Sequence, residues 1–300
     1  MWKSRPRSLK ERERAASLRT FFARYVAAVG AARDPRIEEA FAAVRREPFA
    51  GPGPWSIRAP GGPYVPTPSD DVAFIYQDTL LALDAERGIN IGQPGAHARW
   101  LDALALREGE TVVQIGTGTG YYTALLAYLV GPKGRVHAYE IDEGLAARAM
   151  RNLADMPWAT VHARSGVAAA LPETDAVYVN AAATQPSPGW LEALRPGGRL
   201  MFPLHAQGRL GGMLRIDKPR RGLVWAARFV SRAAFIACVG GQDAKAGRRL
   251  SAAFKKGGAG AVRSFRRDPV IEETCWLAGD GWWLSTAPPP RRGRGVPKRS

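Results

Sequence analysis

Apolar positions along this chain follow two rhythms in alternation, and their order predicts a parallel sheet with helices packed on both faces. Residues 111–115, 134–140, 159–162, 175–180 and 199–204 are short runs rich in aliphatic and aromatic side chains, the pattern of strands covered from both sides. Helical spacing fills the intervals, most clearly over residues 121–130, where Ala, Leu and Tyr dominate. Strand and helix in alternation favour parallel pairing, because a parallel connection needs a crossover of about a dozen residues. After Gly211 the rhythm changes to consecutive strand-like runs, 212–216 and 223–230, which predicts an antiparallel edge.

The flanks divide the rest of the chain. Residues 9–29 and 35–46 read as two amphipathic helices, and the proline- and glycine-rich stretch 48–68 predicts an irregular connection. Residues 69–110 are expected to form a lid and a helix, 95–106, leading into the first central strand. Leu194-Arg195-Pro196-Gly197-Gly198 predicts a turn from helix to strand. Residues 235–241, 242–254 and 275–285 predict strand, helix and strand, with Trp276, Trp282 and Trp283 as packing residues. The expected units are therefore N-terminal helices and connection (1–68), a central sheet domain (69–232), a small C-terminal α+β extension (233–287) and a basic, disordered tail (288–300). No internal repeat stands out.

Chemical content concentrates where the first central strand becomes a helix. Val112-Val113-Gln114-Ile115-Gly116-Thr117-Gly118-Thr119-Gly120-Tyr121 sets three glycines at every second position. A glycine bend there lets a ligand approach the backbone closely at a helix N-terminus. Dinucleotide sites space their glycines as G-x-G-x-x-G, so this spacing disfavours a nicotinamide cofactor and is similar to that of S-adenosylmethionine-dependent methyltransferases. The next strand ends in Glu140, where a carboxylate can accept hydrogen bonds from both ribose hydroxyls and would repel a ribose phosphate. Bend and acid together predict an adenosyl site. Taken alone, the bend reads equally as a tight turn and Glu140 as a solvated strand end.

Further motifs surround that site. Tyr76-Gln77-Asp78 and Ile91-Gly92-Gln93-Pro94 lie upstream, and Asp175-Ala176-Val177-Tyr178-Val179-Asn180-Ala181-Ala182 and Leu194 to Leu200 downstream. With Val112 to Tyr121, these stretches resemble the protein-L-isoaspartate (D-aspartate) O-methyltransferase family, whose patterns read approximately Y-x-D, I-S-x-P, V-L-E-I-G-T-G-S-G-Y, D-A-I-x-V-T-A-A and L-K-P-G-G-R-L. The resemblance covers roughly residues 35 to 205. It implies a Rossmann-like class I methyltransferase sheet, S-adenosyl-L-methionine as cofactor, and methyl transfer to an isoaspartyl carboxylate of a protein or peptide, a protein-repair reaction. It also implies cofactor contacts at Gln114, Gly116, Thr117, Gly118, Gly120, Tyr121, Glu140, Ser165 and Asn180. The acceptor would lie against Gly92, Gln93, His97 and Asp78.

Four positions depart from the family pattern. Gln114 replaces a Glu, Gly92 a Ser, Asn180 a Thr, and Arg164-Ser165-Gly166 stands for G-D-G. Gln114 can hydrogen-bond but places no negative charge near a sulfonium. His97 could equally pack against Trp100 or Leu101, and Asp78 could cap a turn. The remaining histidines, His137, His162 and His205, lack metal-like spacing and read as structural. A carboxylate with a reference pKa of about 4 is ionised at neutral pH, so the expected chemistry needs no general base. Alignment of the reacting atoms supplies most of the acceleration, up to about 7 to 11 kcal/mol. The product ester would be a better leaving group, which the neighbouring backbone nitrogen could displace unaided to close a succinimide.

Charge and composition modify this picture little. The 46% hydrophobic content suffices for a globular core, and no apolar run reaches membrane-span length. Two cysteines are too few for a disulfide framework or a four-ligand zinc site, and the charged start lacks a following signal-like apolar stretch, so a cytoplasmic enzyme is expected. The net charge of +16 is uneven: residues 1–24 carry +6, 245–267 carry +8 and 288–300 carry +5, leaving −3 for all others. Those basic segments could meet an acidic partner or nucleic acid, which keeps an RNA-modifying methyltransferase as the alternative reading, although a solvated helix face explains the middle one as well.

Overall fold

Ser8 opens the first helix by reciprocal capping: its Oγ accepts from Glu11 N, and the Glu11 carboxylate accepts from Ser8 N. This computed structural model describes residues 8–59, 61–206 and 211–290. Helix α1 (Leu9–Gly30) is followed by α2 (Pro35–Ala43), which begins with Asp34 accepting from Arg36 N and Pro35 at its first position, and by the short α3 (Glu47–Ala50). Strands β1 (Ser56–Arg58), β2 (Val65–Pro66), β3 (Leu80–Asp84) and β4 (Ile89–Ile91) then form a small antiparallel sheet in the order β2-β1-β3-β4. The irregular connection expected over 48–68 and the plain lid expected before the helix are thereby corrected. Three of these strands have only two or three residues, too short to display an alternation that sequence reading can detect.

Helix α4 (Pro94–Leu104) leads into a ten-stranded sheet. Its parallel half contains β5 (Thr111–Ile115), β6 (Arg135–Glu140), β7 (Ala159–Ala163), β8 (Thr174–Val179) and β9 (Leu194–Leu204), ordered β7-β6-β5-β8-β9. Helices α5 (Tyr121–Val130), α6 (Glu143–Asn152) and α7 (Pro188–Ala193) make connections between these strands. Antiparallel strands β10 (Gly211–Asp217) and β11 (Val224–Ala233) extend the sheet beyond β9. Helix α8 (Ala244–Lys256) precedes β12 (Ser264–Arg266), β13 (Cys275–Ala278) and β14 (Trp283–Ser285), which continue the same sheet in the order β12-β14-β13.

Four expectations need correction. Residues 264–285 lengthen the central sheet instead of forming a separate extension, because Phe265 and Leu284 bury their side chains in its core. The run 275–285 is two strands, not one, with residues 279–282 turning between them. Residues 235–241 form a loop rather than a strand, joined to the sheet by bonds between Ala182 N and Ile236 O and between Cys238 N and Ala182 O. The Pro196-Gly197-Gly198 segment lies within β9 as an irregularity, where Gly197 N donates to Lys218 O, instead of forming a turn before the strand. Residues 291–300, most of the expected basic tail, lie outside the described residues.

Alternation along the central strands divides the core in two. Val112, Val136, Ala176, Tyr178 and Met201 face α4, α5 and the N-terminal helices, whereas Val113, Ile115, Val177, Leu200 and Phe202 face Trp190 and Leu250 on the other side. Arg199 ties the layers together. Its guanidinium donates to Leu104 O (2.6 Å) and Ala105 O (2.8 Å), two carbonyls that α4 leaves unpaired at its end, and grips both oxygens of Glu110 at 3.0 and 2.5 Å. Both side chains are largely shielded from solvent, so removing one partner strands the other. We expect Arg199→Ala to lower the unfolding free energy by about 3 kcal/mol in urea titration. A loss below about 1 kcal/mol would mean that water screens the pair.

Candidate active site

Chain order reverses between β5 and β8, so the connections leaving their carboxyl ends diverge to opposite faces and open a crevice there. The glycine bend sits at this point. Gly116, at φ +80°, turns the chain while its N–H donates to Tyr139 O at 2.9 Å; a Cβ there would be forced into a left-handed conformation. Gly120, at φ +96°, starts α5 and packs against Leu153 and Ala149 of α6 and the turn after it. Between them Gly118 N donates to Glu140 Oε2 at 2.7 Å, joining the bend to the end of β6. Glu140 Oε1 accepts from Asp142 N at 3.0 Å. Burial pushes the Glu140 carboxyl up from its ordinary value, and these backbone donors oppose the shift.

Beyond the bend lies a cavity of about 630 Å³, within the range of small-molecule sites. One wall is the glycine bend, Glu140, Ser165 and Asn180; another is Gly92, Gln93 and His97 with Trp100 and Phe235. Asn180 Oδ1 is buried and has no hydrogen-bond partner among the described residues. An unpaired amide oxygen facing a cavity awaits a donor. Ser165 Oγ accepts from Val167 N at 3.2 Å and so shapes the 165–167 turn. Gly166 packs so tightly on Ile115 and Tyr139 that no side chain fits.

The acceptor wall is held from behind. Asp78 does not line the cavity; it accepts from Gly95 N at 2.6 Å and from Gln93 Nε2 at 3.0 Å, capping α4, whose own N-cap residue supplies no side-chain bond. The Asp78 segment is positioned in turn by Arg46, which is fully buried. Its guanidinium donates to Ile75 O (2.8 Å), Gln77 O (3.1 Å) and Thr79 O (3.4 Å) and lies over the rings of Phe22 and Tyr121. His97 is 1% exposed, stacks on Tyr122 at 3.4 Å between ring centroids, and has the Tyr178 hydroxyl 2.7 Å from Nδ1. Burial, reinforced by the Arg46 charge, holds its pKa well below the ordinary histidine value. Tyr122 donates from its hydroxyl to Gly92 O at 2.6 Å.

Most of the residues singled out from sequence meet around this one space: Gly92, Gln93, His97, Gly116, Thr117, Gly118, Tyr121, Glu140, Ser165 and Asn180 all line it. Three do not. Gln114 points to the opposite face of β5, where its Oε1 accepts from Thr123 Oγ1 at 2.6 Å; strand alternation, which turns Ile115 one way, turns its neighbour the other. Gly120 serves helix packing, and Asp78 serves the α4 cap. Tyr121 contributes an edge only, since its ring packs among Phe41 and Phe49.

Sequence reading missed Arg87, which bridges Asp84 and Asp142 at the rim, and the 234–239 loop, whose Phe235 closes the wall. The acid two residues beyond Glu140 was the available signal for the first. The loop offered none, because its apolar run reads as a strand. His205 holds that loop by accepting from Phe235 N at 2.9 Å through Nε2, a structural role as expected for it. Cys238 also faces the cavity, and burial pushes its thiol up to about 11, so it stays protonated and unreactive at neutral pH.

The site fits an adenosyl cofactor: a glycine bend open to close approach, a carboxylate with spare lone pairs, and an amide oxygen without a partner converge on one cavity. Comparison with known proteins agrees. The model of the family described as protein-L-isoaspartate(D-aspartate) O-methyltransferase matches residues 58–243. Protein-L-isoaspartate O-methyltransferase 2 of Anaeromyxobacter sp. (strain Fw109-5) is 34% identical over 195 residues, covering 63% of this chain and 71% of that protein. The protein-L-isoaspartate O-methyltransferase of Anaeromyxobacter dehalogenans (strain 2CP-C) is 44% identical over 138 residues, covering 44% of this chain and 64% of its own length. Among solved structures, a protein-L-isoaspartate O-methyltransferase superposes with a TM-score of 0.60 at 22% identity over 80% of this chain and 69% of its own. A beta-aspartate methyltransferase of Plasmodium falciparum, solved with S-adenosyl-L-homocysteine, superposes with a TM-score of 0.58 at 16% identity over 73% of this chain and 97% of its own. The chain therefore belongs to the protein-L-isoaspartate (D-aspartate) O-methyltransferase family, S-adenosylmethionine-dependent enzymes with the Rossmann-like class I methyltransferase fold.

Proposed function

We propose that this protein methylates the free α-carboxylate of isoaspartyl residues in damaged proteins or peptides and does so in the cytoplasm. The observation that carries the reading is that the glycine bend with Glu140 and the Gly92 to His97 segment open into the same cavity. S-adenosylmethionine, when bound, supplies a methyl group made electrophilic by a sulfonium. Glu140 would hold its ribose, the Gly116 to Gly118 backbone its amino-acid portion, and Ser165 and Asn180 its remaining polar edges. The names of the relatives support the isoaspartyl acceptor. The location is supported by two free cysteines; among the described residues, no helix is long and apolar enough to cross a membrane.

The chain's own part in the reaction is to bind and align. An isoaspartyl carboxylate arrives ionised, so no side chain has to remove a proton. Trp100 and Phe235 wall off the acceptor end and thin out water, which matters because the transfer cancels opposite charges. Gln93 is fixed by Asp78 and offers a second amide hydrogen toward the acceptor. No side chain has to act as nucleophile or base, because the ionised acceptor carboxylate is itself the nucleophile.

Two measurements test the reading. Incubated with labelled S-adenosylmethionine, the protein should transfer label to an isoaspartyl peptide and not to its aspartyl twin; label on neither, together with salt-sensitive RNA binding, would replace it with an RNA-directed activity. The second follows from Glu140. Ribose hydroxyls donate to the ionised carboxyl, so affinity is full above the raised Glu140 pKa and declines as pH falls through it. Glu140→Gln should weaken S-adenosylhomocysteine binding about tenfold at neutral pH, roughly 1.4 kcal/mol, and flatten that acid decline in calorimetry. Unchanged affinity would remove Glu140 from the site.

A further inference from the structure

A second cavity, of about 510 Å³, opens between the 48–56 segment, β3 and α6, and among the described residues Leu83 is the one wall it shares with the first. Its lining holds two guanidiniums and no acid. Arg148 and Arg151, three residues apart on α6, share one helix face and repel each other. Neither guanidinium has an ion pair or a hydrogen bond among the described residues. Arg148 is half-buried over Gly51, where a Cβ would come within 3.0 Å of its Nη2. Burial and the Arg151 charge both press its pKa down, and no carboxylate opposes them. The wall beside it is preformed. Trp55 donates from its indole N–H to Gly51 O at 3.0 Å and from its backbone N–H to Thr67 Oγ1 at 2.9 Å. Ser56 adds a hydroxyl with no partner among the described residues. Asn152, whose amide donates to Thr119 O of the glycine bend at 2.9 Å, has a second hydrogen to give.

We propose that this cavity is a second ligand site, one that takes the phosphate group of a small phosphate monoester between the guanidiniums of Arg148 and Arg151, with Ser56 and Asn152 donating beside them. Two cations without counter-charges call for a dianion. A phosphate monoester carries about −1.5 to −2 charges at neutral pH and three terminal oxygens, whereas a lone carboxylate brings one charge and two oxygens. The planar fork of each guanidinium matches phosphate geometry, and such charge-assisted bonds are about twice as strong as neutral ones. The volume lies in the range of small-molecule sites, so the alcohol part of the ester has room beside the phosphate. Binding here does not require the carboxyl-methylation reading above, because no residue of the second cavity except Leu83 belongs to the first.

Calorimetric titration of the full chain with ribose 5-phosphate, inorganic phosphate and ribose tests the site. Ribose 5-phosphate should bind more tightly than inorganic phosphate, and ribose should give no binding heat. Excess S-adenosylhomocysteine should leave ribose 5-phosphate bound. Arg148→Gln and Arg151→Gln should each weaken ribose 5-phosphate by about tenfold, as expected for losing hydrogen bonds between charged groups. Thermal unfolding followed by circular dichroism should show both variants folded, with the rise in midpoint that ribose 5-phosphate gives the wild-type chain reduced in each. No binding of ribose 5-phosphate, equal binding of ribose, displacement by S-adenosylhomocysteine, or wild-type affinity in both variants overturns the proposal. Tighter binding of an acidic peptide than of ribose 5-phosphate, lost in the same two variants, overturns it in favour of a peptide-docking surface. Failure of the functional reading is recognised separately, as absence of methyl transfer to the isoaspartyl peptide by the wild-type protein.

Discussion

The reversal of chain order between β5 and β8 is the constraint on which everything else in this molecule depends. Two right-handed crossovers leaving adjacent parallel strands toward opposite faces cannot both cover the strand ends, so a crevice is unavoidable. The glycine bend at 116–120 keeps that crevice usable. A side chain at Gly116 would strain the backbone, which sits in the left-handed region at φ +80° beside Asn180. Glu140 reaches the same space because β6 runs parallel to β5 and ends level with it, Tyr139 lying beside Ile115.

The acceptor side is assembled differently, through a relay of buried polar contacts. Arg46 is removed from water without a carboxylate partner in its bonding shell, and three carbonyls of the 75–79 turn with two aromatic faces compensate it. That turn delivers Asp78 to the start of α4. Asp78 in turn fixes Gln93 and, through the helix, His97. Elements from the N-terminal region thus build half of a site whose other half belongs to the central sheet. This accounts for the small sheet β2-β1-β3-β4 and the N-terminal helices packing on the cavity end of α4 and α5. The Gly92 and His97 positions act as one unit, since the missing side chain of the first is filled by the imidazole of the second.

The basic segments stand apart from this machinery. Helix α8 shows its Arg and Lys residues mainly to solvent while Leu250 and Ala253 bury into the second core, so its charge accompanies an ordinary amphipathic face. The cavity lining instead is mixed, with Glu140 and Asp142 set among Arg58, Arg87 and Arg232.

The sequence by itself determined the parallel half of the sheet, the glycine bend and the pairing of that bend with Glu140. Their signals are local: a strand of five residues followed at once by glycines and a helix is visible within one short window, and β5 and α5 occur at the bounds that window predicts. Tertiary structure alone decided the rest. Whether Gln114 faces the cofactor side depends on which way β5 presents its alternate residues, a property of the whole sheet, and the answer is that it faces α5. Asp78 became a helix cap because α4 was brought to it, and His97 became a buried ring tied to the hydroxyl of Tyr178, 81 residues away. The 234–239 loop, β12 and the division of 275–285 into β13 and β14 escaped reading for the same reason. Their conformations are set by contacts across the fold, such as His205 with Phe235 N, and short apolar runs carry no mark of which partner will claim them.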